Sequence, residues 1–208
     1  YHGAGKDERG IHSVSQGLWL SLAFAPVLLA LIPLVHRGFA WAGHTDAQVA
    51  LEFAYFRILM LGSLLFLVQA ALTGFFVGIG RTRVVMIANV IGIFVNVPLN
   101  WALVLGRLGI PSLGIEGAAI GTLAGTLCIV AILLAAYLRS PEWRAHGGRD
   151  AWRLRPDLAG RLLRFGTPAG AELLVNVFAF NVFVQLMHGY GPAVASAVTI
   201  TFNYDLVS

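Results

Sequence analysis

Charge is what this sequence most lacks. Only 12% of its 208 residues are charged, against about 25% in an ordinary soluble domain. Without a charged surface, a water-soluble globule of this size is excluded. Cysteine is scarcer still: Cys128 stands alone inside an apolar run, so no internal disulfide can form and nothing follows about redox compartment. Motifs of catalysis are missing too. There is no HExxH, no GxSxG, no Walker loop and no His/Cys cluster at metal-ligand spacing. His2, His12, His36, His44, His146 and His188 are scattered in or beside loops, and GIG at 78–80 is too short for a nucleotide loop. No charged-then-apolar leader opens the chain, because YHGAGKDERG is a polar loop. AVASAVTITFNYDLVS ends in mid-run, so the chain is expected to be an internal piece of a longer protein.

What the sequence has instead is apolar length. Hydrophobic residues make up 58% of the chain, and mean hydropathy is +0.78. The apolar segments fall at about 15–35, 55–78, 84–106, 115–138 and 166–188, and a sixth begins near 193. Each approaches the roughly 20 residues a membrane-spanning helix needs. One such run could be a buried core helix, but five in series cannot. The fold class is therefore an all-α polytopic membrane protein, with an amphipathic connection between two blocks of spans.

The 14 basic residues fix an orientation. Lys6 and Arg9 precede the first span, and Arg81 and Arg83 follow the second. Arg139, Arg144, Arg149, Arg153, Arg155, Arg161 and Arg164 lie between the fourth and fifth. The alternate side holds Arg37, Arg57 and Arg107, giving 11 against 3. Such alternation is the positive-inside pattern, and the rich side is cytoplasmic. It also accounts for the basic net charge of +4 without a nucleic-acid partner. Within the long connection, DAWRLRPDLAGRLLRFG at 150–166 places Leu154, Leu158, Leu162 and Phe165 at helical spacing, with Pro156 fit for a first turn. This predicts a short amphipathic helix on the inner leaflet, or else a solvated linker helix. Trp19, Trp41, Trp101, Trp143 and Trp152 mostly sit near span ends, as interfacial belt residues do.

Several polar residues sit where oil is expected. The run NVIGIFVNVPLNWALVLG at 89–106 holds Asn89, Asn96 and Asn100, which share one helical stripe beside Pro98. Amides on such a stripe either line a polar cavity or hydrogen-bond between helices. Thr122 follows in the next span, among small residues that permit close packing. The fifth span carries Glu172 and Asn176 on one face, with Asn181 and Gln185 on roughly the opposite one. An acid inside a span is a functional candidate by default, although Glu172 could also snorkel from the helix end. Asp205 lies about 18 Å into the sixth span, counted at 1.5 Å per residue. It is therefore expected at the depth of Glu172. Two carboxylates so placed would share a proton or a cation.

These residues, taken in order, resemble the multidrug and toxic compound extrusion family of antiporters. GAGKDE at 3–8 looks like the loop after the family's second helix, and GIGRTR at 78–83 like that between the fourth and fifth. NVPLNWALVLGRLGIPSLGIEGAAIGT at 96–122 matches the fifth-to-sixth helix region most specifically. FGTPAGAELLVNVFAF at 165–180 resembles the start of the seventh helix. The resemblance implies that 1–139 is most of a first six-helix bundle (family helices 3–6). Residues 140–165 would be the cytoplasmic linker and 166–208 the start of a second bundle (helices 7–8), about six spans of an expected twelve.

It further implies a secondary active transporter that exports organic, often cationic, compounds by proton- or sodium-coupled antiport, with no cofactor and no enzymatic step. The setting would be a bacterial inner membrane, and the expected full-length protein is monomeric. By resemblance the substrate cavity would include Asn96, Asn100 and Thr122. Position 100 is aspartate in some proton-coupled members. Where several members carry a coupling glutamate, this chain has Asn176, with Glu172 one turn earlier. Rival functions are a lipid-linked oligosaccharide flippase, which should show a basic central cavity, a membrane-embedded enzyme, and a membrane scaffold.

Overall fold

The computed structural model describes residues 7–35, 45–107, 109, 111–188, 191, 194, 196–197 and 200. Asp205 and the sixth apolar run's last eight residues lie outside the described residues, as do most of the loops at 36–44 and 189–193. Among the described residues the elements are all helical. Two compact units emerge, Tyr1–Ala159 and Gly160–Ser208.

In the first unit the long helices are α1 (Asp7–Ala30), α2 (Asp46–Leu61), α3 (Ser63–Gly78), α4 (Thr82–Leu105) and α5 (Gly114–Arg139). The short α6 (Pro141–His146) and a 3-10 turn at Arg149–Trp152 follow. Helix α7 (Pro156–His188) starts in the first unit and makes up the described helix of the second. Four segments are long and apolar enough to cross a bilayer: Glu8–Val35, Thr82–Leu105, Gly114–Arg139 and Pro156–Val184. The pair α2 and α3 forms a fifth if taken as one bent span.

That bent pair corrects the second predicted span. Two helices replace a straight run over 55–78, and they meet at Gly62 with a bend of 52°. Helix α2 begins earlier than hydropathy indicates, because Thr45 and Gln48 form a capping box. The Thr45 hydroxyl accepts from the Gln48 amide at 3.4 Å, and the Gln48 side chain accepts from the Thr45 N–H at 3.2 Å. The break falls at a Gly–Ser pair, a common site of sharp kinks.

The connection also differs from the expected amphipathic helix over 150–166. It is a 3-10 turn, then extended backbone at Arg153, then a helix that runs from Pro156 to His188 past Pro168 without interruption. Pro156 does open that helix. Leu154 lies ahead of it, so the four apolar residues do not form one face: Leu158 is buried, whereas Leu154 and Phe165 are exposed.

The core of the first unit lies at its arginine-rich end. Ile11, Val14, Leu72, Phe75, Phe76, Ala88, Leu133, Tyr137 and Ala151 pack together there. Phe75 and Tyr137 meet edge to face with ring centroids 5.0 Å apart, and Tyr137 and Trp143 meet at a tilt, 5.1 Å apart. Such pairs contribute about 0.5–1.5 kcal/mol each beyond burial. Elsewhere the long helices turn apolar side chains outward, among them Phe94, Val97 and Leu105 of α4. A surface of that kind is at home in lipid.

Candidate functional site

Helices α4 and α5 pack along a seam of glycine. On α5, Gly117, Gly121 and Gly125 recur every four residues and so share one face. All three are buried. A Cβ added at Gly125 would stand 3.0 Å from the Asn96 Cβ and 3.1 Å from the Gly92 carbonyl oxygen. At Gly117 it would lie 2.8 Å from the Leu103 backbone. At Gly121 it would collide with the Asn100 side-chain oxygen. Small residues thus let two backbones approach, as helix pairs in membranes do. At the far end of α4, Gly106 adopts φ +68 and allows the Arg107 N–H to reach the Ala102 carbonyl at 2.9 Å. The Leu113 N–H then bonds the Leu103 carbonyl at 2.9 Å, which ties the turn into α5 back to α4.

The predicted asparagine stripe lies on this seam. Asn100 Nδ2 donates to Asn96 Oδ1 at 3.1 Å. Asn100 Oδ1 is buried against Gly121 and meets no donor among the described residues. A buried acceptor in that state is expensive, about 1–3 kcal/mol. Between the two amides Pro98 withholds an N–H, so the α4 backbone also lacks one ladder bond. Asn89 shares the helix two turns earlier and is half-buried. The stripe's hydrogen bond thus runs within α4, between residues one turn apart, and the Asn100 acceptor is left buried at the contact with α5.

Thr122 is next to the seam but turned to its own helix. Its hydroxyl donates to the Ala118 carbonyl at 2.9 Å, and Thr126 repeats the arrangement on the Thr122 carbonyl at 2.9 Å. In the second unit Glu172, Asn176 and Asn181 are all exposed. Asn181 Nδ2 donates to its own helix at the Val177 carbonyl, 2.8 Å away. Gln185 lies one turn further along α7. Asp205, the proposed partner of Glu172, lies outside the described residues. The glycines at 92, 117, 121 and 125 complete the seam and are absent from the sequence-based candidates. The spacing GIEGAAIGTLAG was the signal that could have found them.

A second polar cluster joins α1 to the connection after α5. Gln16 is fully buried. Its Nε2 donates to the Arg153 carbonyl at 2.9 Å, and its Oε1 accepts from the Arg155 N–H at 3.0 Å. Trp19 Nε1 donates to the Trp152 carbonyl at 2.9 Å. Across the other flank, Arg81 holds Glu142 with two hydrogen bonds of 2.7 and 3.2 Å. No sequence pattern announced this fastening.

The MatE family model matches residues 1–102. The multidrug resistance protein NorM of Vibrio cholerae serotype O1 is 28% identical over 206 residues, which is 98% of this chain and 45% of NorM. The chain is thus similar to the MATE family, over residues 1–102 by the family model and over nearly its whole length by NorM. A solved multidrug resistance MATE family transporter of the MOP superfamily, in an inward-facing conformation, shares the fold. Its TM-score is 0.78 at 21% identity, over 95% of this chain and 44% of that one. The chain spans less than half the length of either relative. MATE proteins are multi-pass membrane transporters, and the apolar helices described above accord with that setting.

Proposed function

We propose that the protein carrying this chain exports organic, often cationic, compounds by antiport against protons or sodium, with alternating access and no chemical step on the substrate. One observation carries the reading: a pair of amides deep in a membrane helix, beside a proline, with the Asn100 acceptor still open. Polar groups are costly at that depth, and such groups tend to serve a substrate or ion path. In this reading Asn89, Asn96, Asn100 and Thr122 line the first-bundle side of the path. Glu172 couples the ion, with Asn176 and Asp205 as the other coupling candidates, and Asn181 and Gln185 serve the substrate cavity. No cofactor is required.

The test uses the full-length parent protein in proteoliposomes. A fluorescent organic cation is followed under an imposed pH or sodium gradient. Gradient-driven flux that collapses in Glu172→Gln supports antiport coupled at that residue. Absence of flux under both gradients, with well-folded protein, rejects antiport in favour of a flippase for lipid-linked oligosaccharides.

A further inference from the structure

We propose that the segment Arg153–Arg155 is a docking site for anionic phospholipid headgroups of the inner leaflet. The argument starts with Gln16. By gripping the Arg153 carbonyl and the Arg155 N–H, it fixes the backbone on both sides of Leu154. Arg153 is extended there (φ −63, ψ 134), so the side chains of neighbouring residues do not share one helical face. With its backbone turned to α1, Leu154 is left 66% exposed. The Arg153 side chain beside it is 78% exposed. Trp152 is exposed as well, although its carbonyl is held by Trp19.

Depth decides what covers this leucine. Gln16 closes the polar stretch DERGIHSVSQ, and the next residues, GLWLSLAFAP, begin the apolar span. The clamp therefore holds residues 152–155 at the level where α1 passes from polar to apolar. In a membrane protein that is the headgroup layer, where tryptophans such as Trp19 and Trp152 settle.

Charge selects the lipid. Of the nearby acids, Glu142 is engaged by Arg81. Asp150 sits 3.3 Å from Arg153, but both side chains are about four-fifths exposed. A contact so open to water holds weakly and can yield to a phosphate, to which a guanidinium binds through two parallel hydrogen bonds. Arg139 and Arg144 are exposed on the same connection. Basic residues at the inner membrane surface attract anionic lipid. A leucine between two arginines at headgroup depth suits an acyl-chain boundary beneath a phosphate. A nucleic acid would leave the leucine unexplained.

The experiment takes the full-length parent protein with Cys128→Ser and Leu154→Cys, spin-labelled at position 154. It is reconstituted in phosphatidylcholine vesicles with or without phosphatidylglycerol. Accessibility to oxygen and to a water-soluble nickel complex is read by electron paramagnetic resonance. The expected result is a label reached by oxygen and shielded from nickel when phosphatidylglycerol is present. Adding Arg153→Gln and Arg155→Gln should abolish that shielding. In detergent-purified protein carrying only those two substitutions, the ratio of retained phosphatidylglycerol to phosphatidylcholine should fall roughly tenfold.

A label equally open to nickel in both lipids would overturn the proposal. So would a label shielded from both reagents in both lipids, since protein would then cover it. Retained phosphatidylglycerol unchanged by the arginine substitutions would do the same.

Discussion

Asn100 meets two requirements with one side chain. Its Nδ2 is spent on Asn96, while its Oδ1 lies against Gly121 with no donor among the described residues. If the pair served packing alone, Asn100→Ala would cost about 0.5 kcal/mol, the usual size of an i,i+4 side-chain pair on one helix. The transport reading predicts a split: a small shift in thermal stability together with loss of most substrate flux in the full-length protein. Equal, small effects on both would reduce the stripe to helix glue. Gly121→Val tests the opposite side of the contact. Its side chain would occupy the place of the amide oxygen, and overpacking of this kind costs about 1–3 kcal/mol. Thermal unfolding of the purified protein should register that cost even where flux is not measured. Gln16 is a third residue with a sharp expectation. Gln16→Glu keeps an acceptor for the Arg155 N–H but loses the donor to the Arg153 carbonyl. Trypsin cleavage after Arg153 or Arg155 should accelerate in that variant.

At the scale of elements, the bend between α2 and α3 is the feature most open to test. Gly62 leaves room for the Leu123 side chain of α5, and a Cβ there would overlap its methyl groups. Gly62→Ala should therefore destabilise the protein by about 1–2 kcal/mol, by overpacking. Leu123→Ala should lose a comparable amount by leaving a gap. The double variant should lose less than the sum, because each change relieves the other. Strict additivity would show that the knob and the notch act separately.

This bend also marks where reading the sequence stopped. Hydropathy located the apolar runs because a bilayer demands about 20 residues regardless of partners. It could not see that Thr45 and Gln48 start a helix within polar sequence, nor that Gly62–Ser63 divides a span. Those features depend on caps and on a neighbour's side chain. The asparagine stripe was legible because residues 96 and 100 are one turn apart. Its glycine partner face was not, since that requires α5 to be placed beside α4. The predicted helix over 150–166 erred for the same reason. Leu154 fits the helical spacing, but Gln16, more than 130 residues away, claims its backbone.

At the scale of the molecule, orientation underlies both the transport reading and the lipid site. Basic residues lie 11 against 3 on alternating sides of the apolar runs. The structure groups the aromatic core, the Gln16 clamp and the Arg81–Glu142 pair at that same rich end. If this end is cytoplasmic, the turn between α4 and α5 is outside and α6 is inside. Single cysteines at exposed positions can decide this in the Cys128→Ser background. Ser112→Cys should react with a membrane-impermeant maleimide in intact cells, and Ala145→Cys only after the membrane is opened. The reverse pattern would place seven arginines outside, against the positive-inside rule. It would remove the anionic inner leaflet from the reach of Arg153 and Arg155, and would invert the direction in which Glu172 meets the ion gradient. Labelling of both from outside would mean an odd number of crossings between Arg107 and Pro141 is wrong, and α5 would then not span at all. The 26 residues of Gly114–Arg139, with at most two charges in their apolar window, argue strongly for the first outcome.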